Sequence, residues 1–172
     1  IGAHAHKNSL ISRGYPENQI IEQACPGLAG SIERDYDSEE TIGLIKKYVT
    51  EAVAKIKVPE TPVFASLNCT HYGYSQRLFR NAFAEAGYPA VEILDPNPIM
   101  ANFLFRPPYL HRYPETKVTV AVVSRVTISE QKINSLATLL QMTSPMTADA
   151  LKNYRYDPGL FEAKFDTPTI AE

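Results

Sequence analysis

Apolar residues recur at helical spacing in several stretches of this chain and bunch into short runs between them. Ile42, Ile45, Val49, Val53 and Ile56 fall on one helical face after an acidic start, Asp37-Ser38-Glu39-Glu40. There Asp37 is placed to cap and Glu40 to close a capping box. Pro59 and Pro62 end that helix and introduce an apolar run, Val63 to Leu67, of strand length. Leu78, Phe79, Ala82, Phe83 and Ala86 make the face of a helix over 75–86, with Gly87 as its C-terminal cap. Val91 to Leu94 is a second short strand. After it Asn97 can cap and Pro98 take the first helical position of a short helix to about Phe105. Lys117 to Val126 is rich in Val and predicts a long strand. Ser129 starts a helix with Ile133, Leu136, Leu139 and Leu140 on its face, and Thr147 starts a short one to about Tyr154.

The ends are less regular. Ile1 to Ala5 is small and apolar, like the tail of a strand, and Asn8 to Gly14 starts a helix that Tyr15-Pro16 interrupts. Ala24-Cys25-Pro26-Gly27 is a turn-rich segment, and the tail from Asp157 is expected to be extended or loose. Strands alternating with helices predict an α/β fold, a mainly parallel sheet flanked by helices. The three prolines of Arg106 to Pro114 mark a loop and a boundary, giving a lobe over 1–105 and a C-terminal segment over 106–172. Three strand ends, at Ala3 to His6, Cys69 to His71 and Asp95, are expected at the carboxyl edge of the sheet, where ligands bind in open α/β folds.

Composition narrows the function classes. The 172 residues carry 17 Lys plus Arg against 19 Asp plus Glu, a net charge of −2. That balance gives no reason to expect nucleic acid or a membrane surface as partner. No apolar run reaches 18 residues and no secretory leader pattern opens the chain, so the cytoplasm is the expected compartment. Two cysteines make no disulfide framework. The first residue is Ile, so a processed product or a fragment is expected. His4 and His6 would offer two metal ligands from one face of a strand, but no further Asp, Glu or His cluster accompanies them, and no metal is expected.

The chemistry concentrates at Asn68-Cys69-Thr70-His71, where the run to Leu67 hands over to the helix. A thiol needs ionisation to act as base or nucleophile, and a neighbouring imidazolium or a helix N-terminus lowers its pKa. The alternative is a structural Cys beside a surface His. Cys25, in a turn with no obvious base, is expected to be the less reactive thiol.

Leu67-Asn68-Cys69-Thr70-His71-Tyr72 resembles the Leu-Gly-Cys-Thr-His-Tyr motif of the aspartate/glutamate racemase family, glutamate racemases above all. Ala24-Cys25-Pro26 followed by Ser31-Ile32-Glu33 resembles that family's Ala-Cys-Pro segment with its following Glu, and Asp95 with Ala101 is similar to the stretch after the next strand. Ile1-Gly2 with Ala5 and Ser9 carries a weaker similarity, and the four segments keep the family's order. The resemblance covers about residues 1–105. It implies cofactor-independent racemisation of a small amino acid, glutamate or aspartate, by two cysteines on opposite faces of the substrate. It also implies Cys69 as the second catalytic cysteine, His71 as its assistant, Thr70 as a holder of the substrate carboxylate, and Glu33 as a residue near the site.

This chain departs from the family in two respects. The Cys-Asn-Thr segment of the first catalytic cysteine is absent, so the resemblance implies a second lobe plus a C-terminal return, with the front half of the first lobe missing. Gly73 stands where the family usually has Pro, and Asn68 where it has Gly. The alternatives are a hydantoin racemase or decarboxylase relative, for which one cysteine suffices, and a non-catalytic binding module on the same fold. Both faces of Lys117 to Val126 are apolar, so a homo-oligomer or a partner-dependent chain is expected.

Overall fold

A computed structural model describes residues 4–57 and 62–161. The chain divides into two compact units, 1–116 and 117–172. Its elements are short parallel strands joined through helices, so the fold is α/β.

The first unit is built on helices α1 (Ala5–Ser12), α2 (Leu28–Arg34) and α3 (Glu39–Val53), then strand β1 (Phe64–Ser66), helix α4 (Gln76–Glu85), strand β2 (Glu92–Leu94) and helix α5 (Pro96–Asn102). β1 and β2 pair in parallel with Ala65 opposite Ile93, and α4 is their crossover. The ladder runs past both strand ends, since Glu92 N–H donates to Val63 O and Leu67 N–H to Leu94 O. Leu78, Phe79, Ala82 and Phe83 of α4 are buried against Ile45, Tyr48 and Val49 of α3, with Leu67 and Ile93 from the strands and Leu28 and Ile32 from α2. Fully burying a side chain of that size is worth about 1.5–3 kcal/mol. The exposed Lys46–Glu85 pair, 2.8 Å apart, joins α3 to α4 for about 1 kcal/mol at most, so apolar packing fixes the helix pair.

Helix starts in this unit differ from the expected ones by one or two residues. Ser38, not Asp37, caps α3: its hydroxyl accepts from Thr41 N–H at 3.2 Å. No capping box closes, because Glu40 is held by both carboxylate oxygens on Arg34. Asp95, not Asn97, caps α5, accepting from Asn97 N–H at 3.0 Å. Pro96 then takes the first helical position, where the missing N–H costs nothing. The α4 expectation holds to within one residue, and Gly87 at φ 91° supplies the left-handed backbone after it. The expected N-terminal strand is not found. Ile1 to Ala3 lie outside the described residues, and Ala5 opens α1 with His4 at φ 48° before it. His4 Nδ1 instead meets Glu22 Oε2 at 2.5 Å.

The second unit holds strand β3 (Val123–Ser124), helices α6 (Glu130–Gln141) and α7 (Pro145–Lys152), and strand β4 (Arg155–Tyr156) parallel to β3. Ser129 caps α6 as its sequence implies, accepting from Lys132 N–H. Ala137, Ala148 and Leu151 are buried, with Val122, Ile128, Ile133, Leu136 and Leu140 around them. α7 begins at Pro145, two residues before the expected Thr147. The long strand expected over 117–126 shrinks to Val123–Ser124, because its partner β4 has only two residues to pair with it.

Candidate active site

β1 ends at Ser66, and the chain turns through Asn68 to His71 into a 3-10 turn, Tyr72–Ser75, that feeds α4. Leu67 is buried and anchors the near side of the turn. On the far side the buried Ser75 hydroxyl donates to Tyr36 O at 2.7 Å. The seven residues between these anchors, Asn68 to Tyr74, are held at the carboxyl end of the parallel pair, the expected place for a site.

Cys69 Sγ lies 3.6 Å from His71 Nδ1. His71 Nε2 lies 2.9 Å from Glu33 Oε1, which comes from the last turn of α2. All three side chains are partly buried. A carboxylate accepting from Nε2–H leaves the Nδ1 lone pair facing the thiol. That imidazole can take the thiol proton, and the carboxylate then steadies the imidazolium. The three sequence-derived residues thus form one line, carboxylate to imidazole to sulfur, from the last turn of α2 to the turn that follows β1.

Thr70 is exposed, and its carbonyl accepts from Asn97 Nδ2 at 3.2 Å. Asn97 therefore ties the Cys-Thr-His turn to the start of α5. Gly73 sits so close to Asp95 that a Cβ there would collide with Oδ2, and would lie 3.2 Å from Cγ and 3.4 Å from Asn97 Nδ2. Any residue with a Cβ, the family's Pro included, would press on the carboxylate that caps α5. Of the three strand ends expected at one edge, Cys69–His71 and Asp95 come together; His4–His6 belong to the start of α1.

Tyr72 and Cys25 are the neighbours that sequence reasoning did not place. Burial pushes the Cys25 thiol up from its ordinary pKa, partly offset by a hydrogen bond from the Tyr72 hydroxyl. The thiol itself is directed at Gln23 O, 3.7 Å away. Burial also raises the Tyr72 phenol, and the negative charge that Cys25 and Cys69 carry when ionised raises it further. Tyr72 packs against Phe79 with ring centres 5.7 Å apart. The Tyr after Cys-Thr-His is visible in the sequence, but nothing local says that it reaches back to Cys25, 47 positions earlier.

Among the described residues no group of three or more His, Cys, Asp or Glu side chains is arranged to hold a metal, and no helix is long and apolar enough to cross a membrane. A groove of about 250 Å³ between α3 and α4, lined by Asp37, Lys46, Arg77 and Glu85 among others, includes none of Cys69, His71, Glu33 or Thr70.

A curated glutamate racemase from Lactobacillus helveticus (strain DPC 4571) is 30% identical over 105 residues, 61% of this chain and 36% of that protein. Another from Roseiflexus sp. (strain RS-1) is 42% identical over 66 residues, 38% of this chain and 22% of that protein. The chain thus spans about a third or less of the length of the curated relatives it matches. No family model and no solved structure matches it. The residues that carry the Cys-Thr-His resemblance and the two curated matches point the same way: over more than half its length, this chain resembles the glutamate racemases.

Proposed function

We propose that this chain carries one catalytic half of a cofactor-independent amino-acid racemase of glutamate or aspartate type, with Cys69 as the base on one face of the substrate. The observation that supports it is the line from Glu33 through His71 to Cys69. In this reading His71 takes the thiol proton, and the Cys69 thiolate then removes the α-proton. The electron pair moves from the C–H bond toward the substrate carboxylate, held near the Thr70 turn. Return of a proton to the same face regenerates the starting enantiomer; return from a second acid on the other face inverts it. Within these 172 residues the other thiol is Cys25, whose raised pKa keeps it protonated at neutral pH.

The test is loss of the α-proton signal of each enantiomer of glutamate and aspartate in D2O, followed by NMR. Slow exchange of one enantiomer is expected, faster than any net racemisation, and Cys69→Ser removes it. Loss of a catalytic base costs orders of magnitude in rate. Exchange that survives Cys69→Ser, or a folded chain that exchanges none of the four substrates, would reject the proposal. The imidazole and carboxylate at Cys69, against the backbone carbonyl that the Cys25 thiol faces, favour one second reading, a decarboxylase relative that works with a single cysteine. It would show Cys69-dependent CO2 release without exchange of amino-acid α-protons.

A further inference from the structure

Helix α2 is tied to the Cys-Thr-His turn at both of its ends. At its last turn Glu33 Oε1 lies 2.9 Å from His71 Nε2. Just ahead of its start stands Cys25, whose carbonyl accepts from the N–H of Leu28, the first residue of the helix, at 3.3 Å. The Cys25 sulfur accepts a hydrogen bond from the Tyr72 hydroxyl, and its own S–H is directed at Gln23 O. Tyr72 in turn closes the loop that carries Thr70 and His71, since its N–H donates to Cys69 O at 3.0 Å. Its ring rests on Phe79 of α4, and both Tyr72 and Cys25 pack on the core that buries Leu28 and Ile32. The two ties differ in kind. Glu33–His71 leaves 31% of the imidazole side chain and 25% of the carboxylate side chain exposed. An ion pair open to water gains little and must immobilise two side chains. The Tyr72 side chain has two torsions to fix, and its ring is already fixed by packing.

We infer that Tyr72 and Cys25 are positioning residues: together they clamp the start of α2 onto the Cys-Thr-His turn, and so hold Glu33, at the other end of the helix, in line with His71 and Cys69. The inference rests on the reading above in which Cys69 is the base. Cys25 then touches no substrate. Its sulfur is an acceptor for the phenol, and burial keeps its own proton on while it serves. Burial and any negative charge on either cysteine hold the phenol protonated as well, so it remains a donor. The clamp gives the Ala24-Cys25-Pro26 segment a task other than proton transfer.

The readout is the rate at which iodoacetamide labels Cys69 at neutral pH, followed by peptide mapping. Labelling needs no substrate, so it decides the clamp even for a chain that exchanges no α-protons. Tyr72→Phe keeps the ring on Phe79 and loses the donor, whereas Cys25→Ala loses the acceptor. Each is expected to slow Cys69 labelling by about fivefold, the scale of one neutral hydrogen bond. Cys25→Ser keeps an oxygen that can accept from the phenol, and should retain most of the wild-type rate. Because the clamp acts through Glu33, Tyr72→Phe in a Glu33→Gln background should slow labelling by less than about twofold further. Far-UV circular dichroism checks that each variant is folded, and the two Cys25 variants decide the question should Tyr72→Phe not fold. Wild-type labelling in both Tyr72→Phe and Cys25→Ala, no rescue by Cys25→Ser, or an undiminished loss on top of Glu33→Gln would each overturn the proposal.

Discussion

Two thiols in one unit meet opposite surroundings. Cys69 faces an imidazole backed by a carboxylate, whereas Cys25 faces a carbonyl and a phenol, and burial holds its proton on. Thiolate, not thiol, reacts with iodoacetamide, so Cys69 is expected to label first at neutral pH. Peptide mapping of the alkylated chain decides it; Cys25 labelling first would be the contrary result. Glu33→Gln leaves an amide that cannot steady the imidazolium, and should slow Cys69 labelling by about tenfold. The raised Cys25 and Tyr72 groups also set a pH dependence. Below the ordinary thiol range both are protonated in folded and unfolded chains alike. Above about pH 8.5 an unfolded Cys25 ionises while the folded one keeps its proton, so the unfolded state gains and stability falls. Tyr72 adds to the fall from about pH 10. Urea midpoints should drop through this alkaline range, and drop less in Cys25→Ala. A midpoint that is flat from neutral to strongly alkaline pH would contradict the Cys25 environment.

At the scale of elements, Gly73 couples two of them. The 3-10 turn before α4 approaches the start of α5 so closely that a Cβ meets the Asp95 carboxylate, which is also the α5 cap. Gly73→Ala should therefore cost about 1 kcal/mol or more, the worth of a displaced cap. The same substitution in an Asp95→Ser background should cost less, because the shorter side chain caps without filling that space. Denaturant unfolding of the four proteins measures the coupling, and strict additivity would show that Gly73 and Asp95 do not share a constraint. Asn97 passes any shift on to Thr70 through its bond to the Thr70 carbonyl. The helix starts show why caps read from sequence drift by a residue. Asp37 and Ser38 both have capping side chains, and the winner is the one whose oxygen reaches Thr41 N–H. Thr41 itself is fixed from elsewhere, by the buried Ser31 hydroxyl at 2.7 Å and by Asp35 O.

Across the whole molecule, the stretch from Ile99 to Val120 is exposed throughout. Ile99, Met100, Phe103, Leu104, Phe105 and Tyr113 show between 47% and 67% of their surfaces. Limited trypsin digestion should cut first after Arg112 or Lys117, while Arg106 is shielded by the following Pro107. Mass spectrometry of the early fragments tests this; first cuts inside α3 or α4 would mean that the helix core opens before this stretch does. Among the described residues the two units bury very different cores, eleven buried apolar residues in the first and three in the second. The second is the one whose sequence promises more strand than the structure holds.

The order of elements from α3 to α5, the parallel pairing of two short strands through α4, and the place of Cys69, Thr70 and His71 after the first strand all follow from local patterns. Periodicity, turn residues and the Cys-Thr-His run act over a dozen residues or fewer, so one chain read in order is enough to find them. Tertiary structure decided what depends on distant partners. Glu33 meets His71 across 38 positions because α2 and β1 pack on one core, a juxtaposition that resemblance implied and periodicity did not. Packing also brought Tyr72 to Cys25 and pressed Gly73 against Asp95. The length of β3 was decided in the same way. A strand exists only as far as a neighbour pairs with it, and Lys117 to Ala121, strand-like by every local preference, has none within the described residues.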